Sequence, residues 1–176
     1  MSQLDRRSFM QNSAALAASL SALEAASNLA HADEPVKADV KKAGPNEVVR
    51  VAVIGVRGRG MEHIQSYNRL PNAKITTICD VDQKVIGKAM AAVGKRNGSE
   101  PAYVQDLRKV FDDKNIDAVS IATPNHWHSL ATIWACQAGK DVYVEKPVSH
   151  NCFEGRKMVD AARKYNRIVQ TGTQCR

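Results

Sequence analysis

The feature that most constrains the fold is a regular alternation of short apolar runs and longer helical segments from Val48 to the C-terminus. The runs are predominantly apolar rather than apolar at every second residue, which indicates strands buried on both faces, as in a parallel sheet. Parallel strands need crossover connections, and helices placed between them predict right-handed βαβ units. We therefore predict an α/β fold with a doubly wound parallel sheet.

The alternation predicts six strands and five helices between residues 48 and 176. Six strands match the two-halved dinucleotide-binding sheet, the Rossmann fold. The predicted strands are 48–54, 74–79, 102–104, 116–122, 141–144 and 168–171. The predicted helices are 61–70, 83–96 (ended by Gly98), 107–112, 127–138 (ended by Gly139) and 153–165.

A glycine-rich segment, GVRGRG, closes the first predicted strand and opens the first helix. Gly55 can make the tight turn, while Gly58 and Gly60 allow backbone N–H groups to approach a pyrophosphate at the helix N-terminus. The spacing G-x-x-G-x-G displaces the middle glycine by one residue from the usual G-x-G-x-x-G. Arg57 and Arg59 are either phosphate ligands or solvent-exposed side chains, and the sequence leaves both interpretations open.

An acid follows the glycine loop at the distance that dinucleotide binding requires. The second strand ends in Cys79-Asp80, and Asp80 lies twenty positions after Gly60. An acid there accepts hydrogen bonds from the adenine-ribose hydroxyls and repels a 2′-phosphate, so NAD is predicted, with NADP possible. Asp82 is an alternative acceptor, and for either aspartate a helix N-cap is the competing interpretation.

Polar residues also follow the fourth predicted strand, in the segment ATPNHWH. Thr123 is predicted to cap the next helix. Pro124 would be the first residue of that helix, and Asn125 follows it in the sequence. This places a second helix N-terminus at the edge where open α/β sheets bind ligands. His126 and His128 are two residues apart and point in different directions on a helix, so no metal site is predicted.

The fifth predicted strand ends in Glu145-Lys146-Pro147. A lysine at this edge could act as a general base or as a polarising hydrogen-bond donor. Burial would lower its pKa toward neutrality, which suits proton exchange with an alcohol. The competing interpretation is a surface pair of neighbouring lysine and glutamate.

The segments GVRGRG, CDVD, ATPNHWH and EKPVSHN, in this order and spacing, closely resemble the Gfo/Idh/MocA family, which includes glucose–fructose oxidoreductase and inositol dehydrogenase. The resemblance covers about residues 48–176 and implies hydride transfer between a nicotinamide cofactor and a sugar or polyol. It implies that Lys146 is the catalytic lysine and that Asp80 contacts the adenine ribose. The residues implied around the nicotinamide ribose are Thr123, Asn125, His128 and Glu145.

Two other functions are compatible with the same fold. One is the NAD-dependent glycosidase branch, which oxidises, eliminates, adds water and reduces again, although such relatives generally lack the EKP lysine. The other is a non-catalytic NAD-binding fragment. Family members place a sugar-binding α+β domain after the cofactor domain, and we expect that domain to be absent here and this chain alone to be inactive. A full-length chain could form a homo-oligomer.

The first 47 residues are predicted to be a targeting signal followed by a flexible linker. Arg6-Arg7 precede a mild apolar run and the small-x-small site Ala30-His31-Ala32, which resembles a twin-arginine signal peptide over residues 1–32. An N-terminal amphipathic helix is the alternative. Residues 33–47 are polar, contain two prolines and read as a flexible linker. We therefore expect an exported, for example periplasmic, protein.

Charge and composition exclude several partners. The formal net charge is +7, but the basic residues are scattered rather than clustered, which argues against a nucleic-acid-binding surface. No apolar stretch reaches the roughly 18 residues of a membrane span. The four cysteines show no C-x-x-C spacing, so neither a zinc site nor a redox pair is indicated.

Overall fold

The computed structural model describes residues 48–173, which form a single six-stranded sheet with helices on both faces. The strands are β1 (Val49–Ile54), β2 (Ala73–Cys79), β3 (Ala102–Val104), β4 (Ala118–Ile121), β5 (Asp141–Glu145) and β6 (Val169–Gly172). They lie in the order β3-β2-β1-β4-β5-β6, and every neighbouring pair is parallel. This order is that of the two-halved dinucleotide-binding fold, so the predicted doubly wound sheet is confirmed.

Five α-helices connect the strands, as the sequence predicts. They are α1 (Arg59–Tyr67), α2 (Gly87–Asn97), α3 (Leu107–Asp112), α4 (His128–Gln137) and α5 (Cys152–Lys164). The second predicted helix is divided, because a 3₁₀ turn at Gln83–Val85 precedes α2. Gly98 ends α2 in the left-handed conformation, with φ of 70°, as predicted for this glycine.

The central strands are buried on both faces, which explains their continuous apolar sequences. In β1, Ala52 and Ile54 pack with the apolar residues of α3, α4 and α5, while Val53 packs with those of α1 and α2. The two apolar clusters therefore lie on opposite faces of one sheet. This is the pattern that distinguishes a covered parallel sheet from a half-exposed antiparallel one.

The strand register brings the polar ends of four strands to one edge. Ile54 of β1 pairs with Cys79 of β2 and with Ile121 of β4, and Ile121 pairs with Val144 of β5. Neighbouring strands are about 4.8 Å apart. The segments that follow β1, β2, β4 and β5 therefore lie side by side, although they are far apart in the sequence.

The signal peptide predicted for residues 1–32 and the linker predicted for residues 33–47 lie outside the described residues. Within residues 48–173, no helix is both long enough and apolar enough to cross a membrane.

Candidate functional site

The glycine loop between β1 and α1 folds closely against itself and against the end of β4. Gly55 has φ of +82°, and a Cβ there would lie 2.9 Å from the carbonyl carbon of Ala122. A Cβ on Gly60 would lie 1.8 Å from the carbonyl oxygen of Gly55. Gly58 has φ of +46°, a conformation that favours glycine. This explains why a glycine stands at residue 58, one position away from the usual spacing. The loop therefore holds the start of α1 against the sheet edge, with the turn made by Gly55 as predicted.

We expect Gly60→Ala to lower the free energy of unfolding by about 1–3 kcal/mol, because its Cβ collides with backbone rather than with a mobile side chain. Urea denaturation of the purified chain measures this change. Gly87→Ala is the matched control, since a Cβ at Gly87 meets no heavy atom within 4 Å. Equal stabilities of the two variants would contradict the close packing of the loop.

Asp80 joins the glycine loop to the segment that follows β2. Its Oδ2 accepts a hydrogen bond from the backbone N–H of Val56 at 2.9 Å, and its Oδ1 accepts one from the N–H of Asp82, also at 2.9 Å. The hydroxyl of Tyr103 donates to the backbone carbonyl of Asp80 at 3.0 Å. Asp80 is thus rigidly held, and its carboxylate retains lone pairs for a further donor.

A cleft of about 1020 Å³ opens at this edge, across the ends of β1, β2, β3 and β4. Its wall contains both carboxylates and largely apolar side chains. Tyr103 and Val104 of β3 and Leu107 at the start of α3 belong to the second group. Of the residues singled out in the sequence, the cleft brings together Gly55, Arg57, Asp80, Asp82, Thr123, Pro124 and His126.

Thr123 lines this cleft, and its side chain carries an unsatisfied polar atom. Its hydroxyl oxygen is buried and has no hydrogen-bond partner among residues 48–173. The predicted capping role of Thr123 is therefore wrong. Pro124 is extended, with ψ of 148°, so the chain first makes a 3₁₀ turn (Asn125–Trp127) and α4 begins only at His128. A glycine loop, a held carboxylate and apolar walls together fit a dinucleotide.

Arg57 and Asp82 form an ion pair at the mouth of the cleft, with 2.6 Å between Nη2 of Arg57 and Oδ2 of Asp82. The other oxygen of Asp82 accepts from the N–H of Lys84 and caps the 3₁₀ turn, which confirms the N-cap interpretation for this aspartate. These hydrogen bonds, from the Lys84 N–H first and the guanidinium second, lower the pKa of the Asp82 carboxyl. Asp82 is therefore ionised at neutral pH.

Glu145 lies behind the glycine loop in a buried polar cluster that the sequence analysis missed. Its side chain is 5% exposed, and its Oε1 lies 2.9 Å from Nε of Arg59 and 2.8 Å from Nε2 of His63. The opposite ring nitrogen of His63 lies 2.9 Å from the hydroxyl oxygen of Ser120 on β4. The second oxygen of Glu145 accepts from the N–H of Lys146 at 3.2 Å. Glu145 thus ties α1 to the ends of β4 and β5.

Arg59 forms ion pairs with two carboxylates. Besides Glu145, its guanidinium contacts Glu62 one turn further along α1. Its proposed phosphate contact stays a prediction.

The remaining predicted residues lie after β4 and at the end of β5. His128 is buried, with Nδ1 2.6 Å from the carbonyl oxygen of Pro147 and Nε2 2.8 Å from that of Thr123, so it bridges the segments after β4 and β5. Lys146 and Asn125 are exposed. Within residues 48–173, Lys146 is therefore not buried, in contrast to the burial considered for it in the sequence.

The large cleft and the end of β5 are distinct parts of the sheet edge. Glu145, Lys146, Asn125 and His128 are not among the described residues that line the cleft. Their contacts with a nicotinamide ribose stay predictions. In the same part of the chain, no group of three or more His, Cys, Asp or Glu side chains could hold a metal ion.

Comparison with known proteins identifies the class of this domain. The Gfo/Idh/MocA sequence model, described as an oxidoreductase family with an NAD-binding Rossmann fold, matches residues 49–173. A curated relative, a glycosyl hydrolase family 109 protein of Shewanella sp. (strain W3-18-1), is 32% identical over 174 residues. That match covers 93% of this chain and 38% of the relative, so the chain spans well under half the length of such relatives.

Solved structures show the same fold. The myo-inositol 2-dehydrogenase of Lactobacillus plantarum has a TM-score of 0.65 and 27% identity, covering 72% of this chain and 36% of its own. The WlbA dehydrogenase of Bordetella pertussis, solved with NADH and UDP-GlcNAcA, has a TM-score of 0.62 and 27% identity. That match covers 70% of this chain and 35% of the other.

Proposed function

Because this chain belongs to the Gfo/Idh/MocA oxidoreductase family, with its NAD-binding Rossmann fold, we propose that it binds NAD in the cleft beside the glycine loop. The observation that carries this proposal is the joint placement of the loop and Asp80. The carboxylate of Asp80 bonds to the N–H of Val56 within the loop. The pyrophosphate then lies at the N-terminus of α1, where backbone N–H groups and the helix dipole favour negative charge.

Asp80 and Thr123 would hold the cofactor at two points of the cleft. The free lone pairs of the Asp80 carboxylate accept hydrogen bonds from the adenine-ribose hydroxyls. Thr123 lines the same cleft, where it would contact the bound cofactor. Both interactions favour an ordered cofactor over a loosely held one.

We expect the unmodified chain to bind NADH more tightly than NADPH, since Asp80 repels a 2′-phosphate. Asp80→Ala should weaken NADH binding by about 10- to 100-fold, the scale of a lost hydrogen bond to a charged group. It should also reduce the difference between the affinities for NADH and NADPH. Fluorescence titration with both cofactors measures this. Asp112→Ala, at an exposed residue outside the cleft, is the control. Equal affinities of the unmodified chain for NADH and NADPH would refute the assignment of Asp80.

Bound NAD would supply the hydride acceptor for oxidation of a sugar or polyol, and this chain's own residues would position it and move a proton. Lys146 is proposed as the group that takes the substrate hydroxyl proton at its Nζ. Its backbone is fixed by the hydrogen bond from its N–H to the Glu145 carboxylate, while its side chain is exposed. A second domain would have to hold the sugar against this lysine, so catalysis is proposed for a longer protein.

A second candidate function is glycoside cleavage with NAD as a recycled cofactor. The curated relatives named as glycosyl hydrolase family 109 proteins favour it. The two functions differ in their net reaction, because a dehydrogenase accumulates NADH and a recycling glycosidase does not. Incubating the longer protein and NAD with free sugars and with aryl glycosides would separate them by absorbance of NADH and release of the aryl group.

A further inference from the structure

Arg57 and Asp82 flank the carboxylate that is proposed to contact the adenine ribose. Asp80 bonds on one side to the N–H of Val56, the residue before Arg57, and on the other to the N–H of Asp82 itself. The side chains of Arg57 and Asp82 then meet, with 2.6 Å between Nη2 and Oδ2. Both residues line the cleft. A phosphate on the 2′ position of a ribose held by Asp80 would enter the space next to this ion pair.

The charges at this end of the cleft are unfavourable to such a phosphate. Three carboxylates line it, those of Asp80, Asp82 and Asp106. The cations of the lining are Arg57 and Lys109. A guanidinium is the side chain best suited to bind phosphate through two parallel hydrogen bonds. Arg57 is the guanidinium of this lining, and it is already engaged by Asp82.

Asp82 is well placed to keep that guanidinium engaged. Its Oδ1 accepts from the N–H of Lys84 and its own N–H donates to Asp80, so its backbone and one oxygen are fixed. The arginine side chain is 74% exposed and that of Asp82 36% exposed. An exposed ion pair of this kind is weak enough to be exchanged for a better partner. Removing the charge of Asp82 should therefore release Arg57.

We propose that Asp82 is a cofactor-specificity residue, which withholds the Arg57 guanidinium from the 2′-phosphate of NADP by pairing with it. This inference rests on the proposed binding of NAD in the same cleft. It assigns to Asp82 a role different from that of Asp80, which contacts the ribose directly and repels phosphate by its own charge. Two aspartates would then exclude NADP, one by repulsion and one by removing the available cation.

The test is the affinity of Asp82→Asn for NADPH and NADH, measured by fluorescence titration of the full 176-residue chain. Asparagine keeps an acceptor oxygen for the Lys84 N–H and loses the charge. We expect the Kd for NADPH to fall about fivefold, the scale of one exposed ion pair, while the Kd for NADH changes less than about twofold. Adding Arg57→Gln to Asp82→Asn should remove the gain.

Asp106→Asn is the matched control. Asp106 also lines the cleft and also caps a helical turn, accepting from the N–H of Arg108, but its ion-pair partner is Arg108 rather than Arg57. This variant removes the same charge from the cleft without releasing Arg57, so the reduced repulsion alone should raise its NADPH affinity by no more than about twofold, clearly less than the gain expected of Asp82→Asn.

The outcomes are distinguishable. A NADPH gain confined to Asp82→Asn and dependent on Arg57 supports the inference. An equal gain in Asp106→Asn, a gain that persists without Arg57, or no gain at all would overturn it while leaving NAD binding intact. If the unmodified chain binds neither NADH nor NADPH, the proposed function fails, and this inference fails with it.

Discussion

Replacing Glu145 with alanine should lower the free energy of unfolding of this domain by about 2–4 kcal/mol. The carboxylate is buried and accepts hydrogen bonds from three groups: the side chains of Arg59 and His63 on α1, and the N–H of Lys146 after β5. Each buried donor left without an acceptor costs about 1–3 kcal/mol, and the lost side-chain volume adds to this. Urea denaturation followed by circular dichroism measures the change.

Two further variants identify the cause. Glu145→Gln keeps the volume but replaces one acceptor oxygen with a donor that faces other donors, so it should cost about half as much as alanine. Glu62→Ala removes the other carboxylate that contacts Arg59, and this side chain is 59% exposed. That change should stay within about 0.5 kcal/mol. A loss of stability in Glu62→Ala equal to that in Glu145→Ala would show that the arginine contact, rather than burial, is responsible.

The fold could be predicted because its determinants are local. A strand covered on both faces must be apolar at successive positions, and this is legible in segments such as 48–54. Glycines with positive φ, such as Gly55 and Gly98, mark the ends of elements without reference to distant residues. The helix boundaries differ from prediction most at α2, which begins at Gly87 after a 3₁₀ turn rather than at residue 83, and at α1, which ends at Tyr67 rather than at residue 70. In such 3₁₀ turns, capping residues and the first helical turn separate.

The site was only partly predictable, since its contacts join residues far apart in the sequence. Glycine and aspartate positions followed from known spacings, but His63 was not singled out. It lies on the buried side of α1 and meets Glu145 at a separation of 82 residues. Nothing in a single sequence reports such a pairing. The burial of Glu145 behind Arg59 is hidden in the sequence for the same reason, and the nicotinamide-ribose contact that the family resemblance implies for Glu145 stays a prediction.

Lys146→Ala should reduce sugar oxidation about 100-fold or more in a longer protein that joins this domain to a sugar-binding domain, the usual scale for loss of an acid–base group. NADH affinity should change little, because Lys146 is outside the lining of the large cleft. A fall in kcat without a change in cofactor Kd is therefore the expected signature. Lys114→Ala, at an exposed lysine ahead of β4 and so at the opposite sheet edge, is the control.

The 176-residue chain itself should bind cofactor and oxidise sugars only at background rate. Hydride transfer requires the sugar carbon to be held at near-attack distance, and such positioning lowers the activation free energy by roughly 7–11 kcal/mol. Lys146 is exposed within residues 48–173, so the described domain offers no second wall that would hold a sugar against it. Robust sugar oxidation by the short chain, or full activity of the longer Lys146→Ala variant, would contradict the assignment of this lysine.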